Sequence, residues 1–427
     1  MKKVTYINVN LYNGTENQKL QKLVNVEVTG DKITNVGSFK VAEDSKIVDL
    51  NGAFMVPGLI NLHAHLPSSG KLSKKKLGDK SGLVNFVSKN PIGRLIGNAL
   101  VKKYAVMALN SGVTTVRAVG GVSDLDSSLR DKINAGKILG PRLLVCNTAI
   151  GVKGGHMDGT VAKAVNDKND IVNRIKELKE QKVDYVKLMI TGGVLDCKEP
   201  GHPAPLRMSK DMVEAACKEA HKLGMKVCAH VESPEGMEVA IKCGVDSIEH
   251  GGNFDEKLCK DMVKNNQYLV TTLSPALPFF LLKAEQHGYG KDAAINSKIV
   301  FDGMVNASKQ CLRNKVMVGL GTDAGSTLTS HYNFYKELSL FEKYVGVSKS
   351  FALYSATLAN AKIAGIDKIT GSIEVGKVAD LLVVKEDPLK NLNALGKPML
   401  VSVRGKLIKN PKVKRDKVLD SLIDPLY

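Results

Sequence analysis

The period of hydrophobic and polar positions changes twice along this chain. Residues 4–12 and 23–36 alternate apolar and polar side chains, which predicts β-strands. From about residue 56 to 365, short apolar runs alternate with segments of helical period. Strand-like runs then return at 381–385 and 400–408. The pattern predicts a β region at each end of the chain and an α/β region between them.

Eight apolar runs in the central region have the length and content of strands that are buried on both faces. Their alternation with helices favours parallel pairing through right-handed crossovers, and eight such units close a (β/α)8 TIM barrel. The predicted strands are 58–65, 113–119, 142–149, 183–190, 226–231, 245–250, 268–273 and 316–322. We therefore expect an α/β fold with this barrel over residues 56–365. We expect residues 1–55 and 366–427 to pair into one smaller, discontinuous β-sandwich domain.

Side chains with metal-binding chemistry lie at the ends of several predicted strands. His63 and His65 are two residues apart, so a strand points both imidazoles to the same side. The carboxyl ends of barrel strands form the active site, where four more candidate groups are expected: Lys187, His230, His250 and Asp323. Each alone could be a core residue or an ion-pair partner. Together they exceed what one tetrahedral zinc needs, which indicates two metals.

Lys187 is unusual because it is a lone cation inside an apolar predicted strand. An ammonium group cannot bind a metal ion. Burial favours the neutral amine, which can become a carbamate and offer two oxygens as a bridge. Lys187 is therefore a candidate bridging ligand.

Composition limits the class of protein. The chain has 427 residues, of which 43% are hydrophobic and 24% charged, as in ordinary globular proteins. Its seven cysteines are an odd number without a CxxC pair, which favours free thiols in a reducing cytoplasm. The sequence shows no signal peptide and no apolar run of about 18 residues. We expect a cytoplasmic protein with no membrane partner.

The net charge of +18 raises the hypothesis of nucleic-acid binding. Basic clusters occur at residues 71–80 and 409–417, but neither is interleaved with aromatic residues for base stacking. Blocks of like charge are usually solvated surface, so we expect no nucleic-acid partner. A basic nucleic-acid-binding protein on a decayed barrel is the alternative from another class, and the intact ligand set argues against decay.

The ligand motifs resemble those of the metal-dependent amidohydrolase superfamily over essentially the whole chain. They are His63-Ala64-His65, Lys187, His230, SIEHGG with His250, GTDAG with Asp323, and the tail from TLANAKIAG to VADLLVVKEDP. Within the superfamily, three further motifs resemble the prolidase-like and arginine-carboxypeptidase-like dipeptide hydrolases. These are GVTTVRAVGG, the GGH at 154–156 and VDYVKLMITGGV.

The resemblance implies a binuclear enzyme with two divalent metal ions, expected to be Zn²⁺. It implies that His63 and His65 hold the more buried ion. His230 and His250 would hold the more exposed ion, with carboxylated Lys187 as the bridge. Asp323 would bind metal and shuttle the proton, while a metal-bridged hydroxide cleaves the amide C–N bond of a dipeptide or N-acyl amino acid. We expect a small-molecule substrate and a homo-oligomer.

Two further residues are candidates for substrate binding. By similarity to the group, His156 would hydrogen-bond a substrate carbonyl or carboxylate, although it could equally be a surface loop residue. Glu232 stands where the group carries a tyrosine, and strand geometry places it about 6.6 Å beyond His230 towards the mouth. There it would attract a substrate ammonium or guanidinium group, or else pair with a neighbouring Lys or Arg.

Two interpretations stay open at this point. The enzyme rival is a mononuclear, imidazolonepropionase-like relative that opens a cyclic amide or deaminates a ring, and Lys187 argues against it because such relatives generally lack the bridging lysine. The remaining histidines have no strand-end context and are interpreted as structural or solvent-facing: His202, His221, His287 and His331.

Overall fold

The computed structural model describes residues 2–72, 81–196 and 199–427. In chain order the strands are β1 Lys3–Leu11, β2 Gln21–Thr29, β3 Lys32–Gly37, β4 Lys46–Asp49, β5 Phe54–Pro57, β6 Leu59–Ala64, β7 Val113–Ala118, β8 Arg142–Val145, β9 Ala149–Val152, β10 Ala162–Val165, β11 Tyr185–Met189, β12 Lys226–Val231, β13 Ser247–His250, β14 Tyr268–Thr271, β15 Val318–Leu320, β16 Leu381–Val384, β17 Pro398–Val403 and β18 Lys406–Lys409.

Helices separate most of the central strands. They are α1 Ser81–Lys89, α2 Pro91–Asn110, α3 Leu125–Asn134, α4 Lys168–Glu180, α5 Lys210–Lys222, α6 Pro234–Lys242, α7 Cys259–Lys264, α8 Leu277–Leu281, α9 Ala284–His287, α10 Lys291–Arg313, α11 Phe334–Leu340, α12 Lys349–Tyr354, α13 Asn360–Ala364 and α14 Lys417–Ile423. Short π-helical turns extend α11 at Phe341–Val345 and join α12 to α13 at Ser355–Ala359. Ser209 occupies the N-cap position of α5, as its sequence suggests, although its side chain makes no capping hydrogen bond.

Strands from both ends of the chain share one sheet. Its order is β18-β17-β16-β5-β1-β2-β3, and β4 also pairs with β1. Apolar residues from both ends form a common core under it, among them Tyr6, Val26, Met55, Leu381 and Leu400. β5 extends to Pro57, slightly past the expected boundary at residue 55. The β-sandwich architecture and the exact domain boundaries stay predictions.

The central strands are parallel and fall into two sheets. One contains β6-β7-β8 and the other β10-β9-β11-β12-β13-β14-β15. The prediction of one continuous strand over 142–149 is wrong, because residues 146–148 interrupt it and separate β8 from β9. Asn147 has φ +53° there, and its Nδ2 donates to Ser127 Oγ and Gln181 Oε1. β10 is an additional strand that the sequence pattern did not indicate.

The two parallel sheets approach each other where β6 meets the segment after β15. The Asp323 N–H donates to the His63 carbonyl at 2.9 Å, and the His65 N–H donates to the Ala324 carbonyl at 2.7 Å. Within the described ranges the ladders do not run continuously through both sheets. The mixed α/β fold is therefore confirmed, and a closed barrel is not. These hydrogen bonds nevertheless fix Asp323 beside the end of β6.

Several features bear on the remaining expectations. The six cysteines that the structure describes are free, and the seventh, Cys197, lies outside the described residues. The first basic cluster lies largely outside them as well, since residues 73–80 are not described. Among the helices of the described segments, none combines the length and the apolar character needed to cross a membrane.

Candidate metal centre

Four imidazoles from three strand ends meet at one place. His63 lies near the end of β6 and His65 directly after it, while His230 and His250 lie at the ends of β12 and β13. Ring centroids are 5.4 Å apart for His63 and His65, 4.6 Å for His63 and His250, and 4.6 Å for His230 and His250. The structure therefore brings together the four predicted histidines.

Asp323 completes this cluster from the loop after β15. Its Oδ1 lies 3.0 Å from His65 Nε2 and 3.5 Å from His63 Nε2. Asp323 has φ +56° and His250 has φ +67°, a region that non-glycine residues rarely adopt. Such backbone strain persists where the surrounding structure holds it, and it concentrates at functional sites. The surrounding structure therefore holds both residues in a strained backbone conformation at the centre.

His65 and His230 each donate one ring hydrogen to a backbone carbonyl. His65 Nδ1 lies 2.9 Å from the Gly120 oxygen, and His230 Nε2 lies 3.0 Å from the Gly192 oxygen. Because a carbonyl only accepts, those nitrogens carry the proton in the neutral rings. The lone pairs are then on His65 Nε2 and His230 Nδ1. This outer hydrogen bond is the usual arrangement around a metal-binding histidine.

His63 and His250 use Nδ1 in the same way, but towards side chains. His63 Nδ1 lies 2.8 Å from Glu249 Oε2, and His250 Nδ1 lies 2.7 Å from Thr272 Oγ1. In both rings Nε2 is left for another partner. All four histidines therefore have one tethered nitrogen and one nitrogen available to a metal.

A buried ion pair supports His63 from behind. Arg117 Nη2 lies 2.6 Å from Glu249 Oε1, and both side chains are fully buried. Arg117 Nε also donates to the Leu62 carbonyl at 2.8 Å, and Ser247 Oγ donates to Glu249 at 2.8 Å. Neither Arg117 nor Glu249 is among the site residues predicted from the sequence. The available signal was the one that identified Lys187, a charged residue within an apolar predicted strand.

Lys187 is the third residue of β11, and its side chain is only 1% exposed. Among the described residues, its Nζ has no hydrogen-bond partner. An unpaired buried ammonium is costly, so this atom fits a chemically different state in the mature protein. A carbamate at this position would place two oxygens beside the histidine cluster.

Burial controls the ionisation of the cluster. It holds the pKa of His63 and His230 well below the ordinary value and lowers the pKa of His250 to about 3. For Asp323, burial alone would raise the pKa, but the contact with His65 and the nearby positive charges bring it below the usual value. Neutral imidazoles and an ionised carboxylate are the forms that bind divalent metals.

His156 reaches this centre from the loop after β9. Its ring stacks on His230 with a centroid distance of 4.1 Å and an interplanar angle of 11°. Its Nδ1 also pairs with the Asp196 carboxylate. His156 is therefore part of the site's wall instead of an isolated surface residue, and its role towards substrate stays a prediction.

Glu232 lies beside the histidine cluster. Ligand atoms of His230, Glu232 and His250 all lie within 4.8 Å of one another, as do those of a second group, His63, His250 and Asp323. The Glu232 N–H donates to Thr191 Oγ1 at 3.1 Å, which holds the residue as β12 ends. Its position beyond the metals, against the substrate, stays a prediction.

The remaining histidines lie outside these two groups. His331 is buried, donates from Nε2 to the Ser68 carbonyl at 2.7 Å, and stacks on Tyr104. His221 pairs with Asp246, and the other two are a buried His287 and an exposed His202. These contacts agree with the structural or solvent-facing interpretation.

Comparison with known proteins gives a consistent result. The model of the Amidohydrolase family matches residues 54–408 of this chain. The crystal structure of a candidate prolidase from Bifidobacterium longum shares 32% identity, covering 100% of this chain and 99% of that one, with a TM-score of 0.87.

Two further similarities cover most of the chain. A crystal structure of a Xaa-Pro dipeptidase with bound methionine shares 28% identity over 96% of this chain and 100% of that one, with a TM-score of 0.82. The ochratoxinase of Aspergillus niger is 24% identical over 391 residues, covering 84% of this chain and 76% of the relative.

Proposed function

We propose that this chain, which belongs to the Amidohydrolase family, cleaves the amide C–N bond of a dipeptide or N-acyl amino acid with the help of two divalent metal ions. The family and its prolidase-like relatives establish a hydrolase that acts on carbon–nitrogen bonds. The observation that carries the finer proposal is the unpaired, buried Lys187 amine beside four histidines that each have a nitrogen to spare.

The residues present fit a binuclear site. In the proposal, His63 and His65 hold the more buried ion, and His230 and His250 hold the more exposed one. Carboxylated Lys187 bridges the two, and Zn²⁺ is the proposed metal. When bound, the metals lower the pKa of a water molecule towards neutrality and polarise the scissile carbonyl.

Asp323 is the proposed proton carrier. Its carboxylate is ionised, fixed by the hydrogen bonds of its own backbone to β6, and in contact with His65. It can take the proton of the attacking water and return it to the leaving nitrogen, which an amide bond requires. The same carboxylate is also a proposed metal ligand.

His156 is the proposed contact to a carbonyl or carboxylate of the substrate. Its stacking on His230, a proposed ligand of the more exposed metal, supports this role, and its Nδ1 pairs with the Asp196 carboxylate. A donor held in this way orients substrate before reaction, which lowers the entropic cost of reaching the transition state.

Glu232 is the second residue proposed to line the pocket, and its carboxylate is proposed to bind a cation. Its Oε2 is buried and, within the part of the chain that the structure describes, has no hydrogen-bond partner. The sequence also allowed Glu232 to pair with a neighbouring Lys or Arg. Among the described residues, no such ion pair is present. In the sequence prediction the cation is a substrate ammonium or guanidinium group.

The similarity to a Xaa-Pro dipeptidase and to a candidate prolidase supports the dipeptide as substrate class. A mononuclear relative that opens a cyclic amide or deaminates a ring is the rival, and the position of Lys187 inside the centre favours the binuclear enzyme. A cytoplasmic location, a homo-oligomeric state and the domain boundaries at 55/56 and 365/366 also belong to the proposal.

A hydrolysis screen tests this function. Purified protein is incubated with dipeptides and N-acyl amino acids, with Zn²⁺ or Mn²⁺ added after removal of bound metal by a chelator. We expect turnover that depends on added metal and that releases a free amino acid. Turnover of cyclic amides or aminated rings, with none of the linear amides, would contradict the proposal.

A further inference from the structure

Glu232 leaves a buried carboxylate oxygen next to two proposed metal ligands. Resting on the proposed metallohydrolase function, we propose that Glu232 is itself a protein ligand of the more exposed metal, alongside His230 and His250. The site would then differ from a prolidase-like one, in which a tyrosine stands at this position.

The first argument is distance. The candidate ligand atoms of His230, Glu232 and His250 lie within 4.8 Å of one another. Zinc holds nitrogen and oxygen ligands at about 2.0–2.2 Å, so ligands of one ion lie about 3–4 Å apart. Two histidines with one glutamate are an established zinc ligand set.

The second argument is the hydrogen bonding of the carboxylate. The Val194 backbone N–H donates one hydrogen bond to Glu232. Oε2 remains without a partner among the described residues, although it is buried. A buried carboxylate oxygen without donor or cation is costly, so this oxygen requires an external partner.

The third argument is charge. Two further carboxylates, those of Asp323 and Asp196, lie close enough to Glu232 to interact with it electrostatically, and Lys187 is a basic side chain near it. Carboxylation would turn Lys187 into an anion, so its support would be lost. A divalent ion held by His230 and His250 would supply the positive charge that this group of carboxylates would then lack.

Metal binding by chelator-stripped protein tests the inference without relying on activity. Wild type and Glu232→Gln are titrated with Zn²⁺ in competition with a chromophoric chelator, and Co²⁺ absorption spectra report the coordination of each ion. We expect Glu232→Gln to lower the binding affinity for one of the two ions by at least about tenfold. We also expect it to change one set of Co²⁺ absorption bands. The other ion should keep its affinity within about threefold.

Asp196→Asn is the matched control, because it removes a neighbouring negative charge that bonds His156 instead of facing the metals. We expect it to leave both affinities within about threefold of wild type. An equal loss in both variants would reduce the effect to general electrostatics and overturn the ligand role. Melting of the metal-free variants shows that each is folded before titration.

The remaining outcomes separate this inference from the function on which it rests. Wild-type protein that binds no divalent ion contradicts the proposed function itself. If wild type and Glu232→Gln bind two ions alike, only the ligand role of Glu232 fails. In that case a loss of preference for cationic over neutral dipeptides in Glu232→Gln would assign the carboxylate to the substrate.

Discussion

The His63 Nδ1 atom lies 2.8 Å from Glu249 Oε2, and both side chains are at most 1% exposed. This contact fixes which nitrogen of His63 faces the centre, because Nδ1 is engaged with the carboxylate and Nε2 is directed to Asp323. Arg117 holds the other oxygen of Glu249 at 2.6 Å. Arg117, Glu249 and His63 therefore form a buried chain of contacts that ends at the proposed metal centre.

We expect Glu249→Gln to lower the affinity for the more buried metal by about 10–100-fold. The reason is that the amide can present its NH₂ group to His63 and turn the imidazole ring. Competition titration with Zn²⁺ measures the loss. Glu238→Gln, on the exposed face of α6, is the control and should bind as wild type does. Equal affinity in Glu249→Gln and wild type would show that the pair does not orient the ligand.

We expect Arg117→Met to destabilise the metal-free protein by about 3–5 kcal/mol, because it leaves the Glu249 carboxylate buried without its cation. Urea unfolding measures this change. The double variant Arg117→Met/Glu249→Gln should lose clearly less than the sum of the two single variants, as coupled neighbours do. Strict additivity would mean that the ion pair carries no coupling energy.

Asp323→Asn should keep the fold and lose most activity, because an amide of the same volume cannot carry a proton. General acid–base catalysis contributes about 10²–10⁴-fold, so kcat should fall within that range. Circular dichroism and melting confirm the fold, and steady-state kinetics give kcat. A variant that retains more than half of the wild-type kcat would remove Asp323 from this role.

The lowered pKa of buried His331 leads us to expect a pH dependence of stability that does not involve the metals. Burial lowers its pKa to about 4, so between pH 6.5 and 4 the unfolded chain binds more protons than the folded one. The free energy of unfolding must then fall as pH is lowered through this window, by about 2 kcal/mol between pH 7 and 5. Urea unfolding of metal-free His331→Gln should lack this contribution. Equal slopes in the variant and wild type would show that His331 does not titrate in this way.

The positions of the metal-binding candidates could be predicted because they follow from local patterns. His63 and His65 share a face through the two-residue period of a strand, and parallel strands bring their carboxyl ends to one edge. The proximity of His230 and His250 can therefore be predicted from the strands alone, without predicting the loops. The structure places these side chains together, and Asp323 joins them from the loop after β15.

What the sequence did not reveal depends on contacts between distant residues. Arg117 and Glu249 are far apart in the chain, and either residue alone gives no sign of the other. The strand is interrupted at Asn147, whose side chain donates to Ser127 in α3 and to Gln181 just after α4, and the apolar run of residues 142–149 does not indicate these contacts. The backbone N–H of Glu232, just after β12, donates to Thr191 Oγ1 in the segment after β11, and the two-residue period of one strand does not indicate this contact.

Metal content in wild type and Lys187→Ala tests the central claim most directly. Both proteins are prepared with Zn²⁺ and bicarbonate, freed of loosely bound ions, and analysed for metal per chain by plasma mass spectrometry. Because carboxylated Lys187 is the proposed bridge, we expect about two ions per chain in wild type and a loss of at least one in Lys187→Ala. One ion per chain in both proteins would contradict the binuclear site.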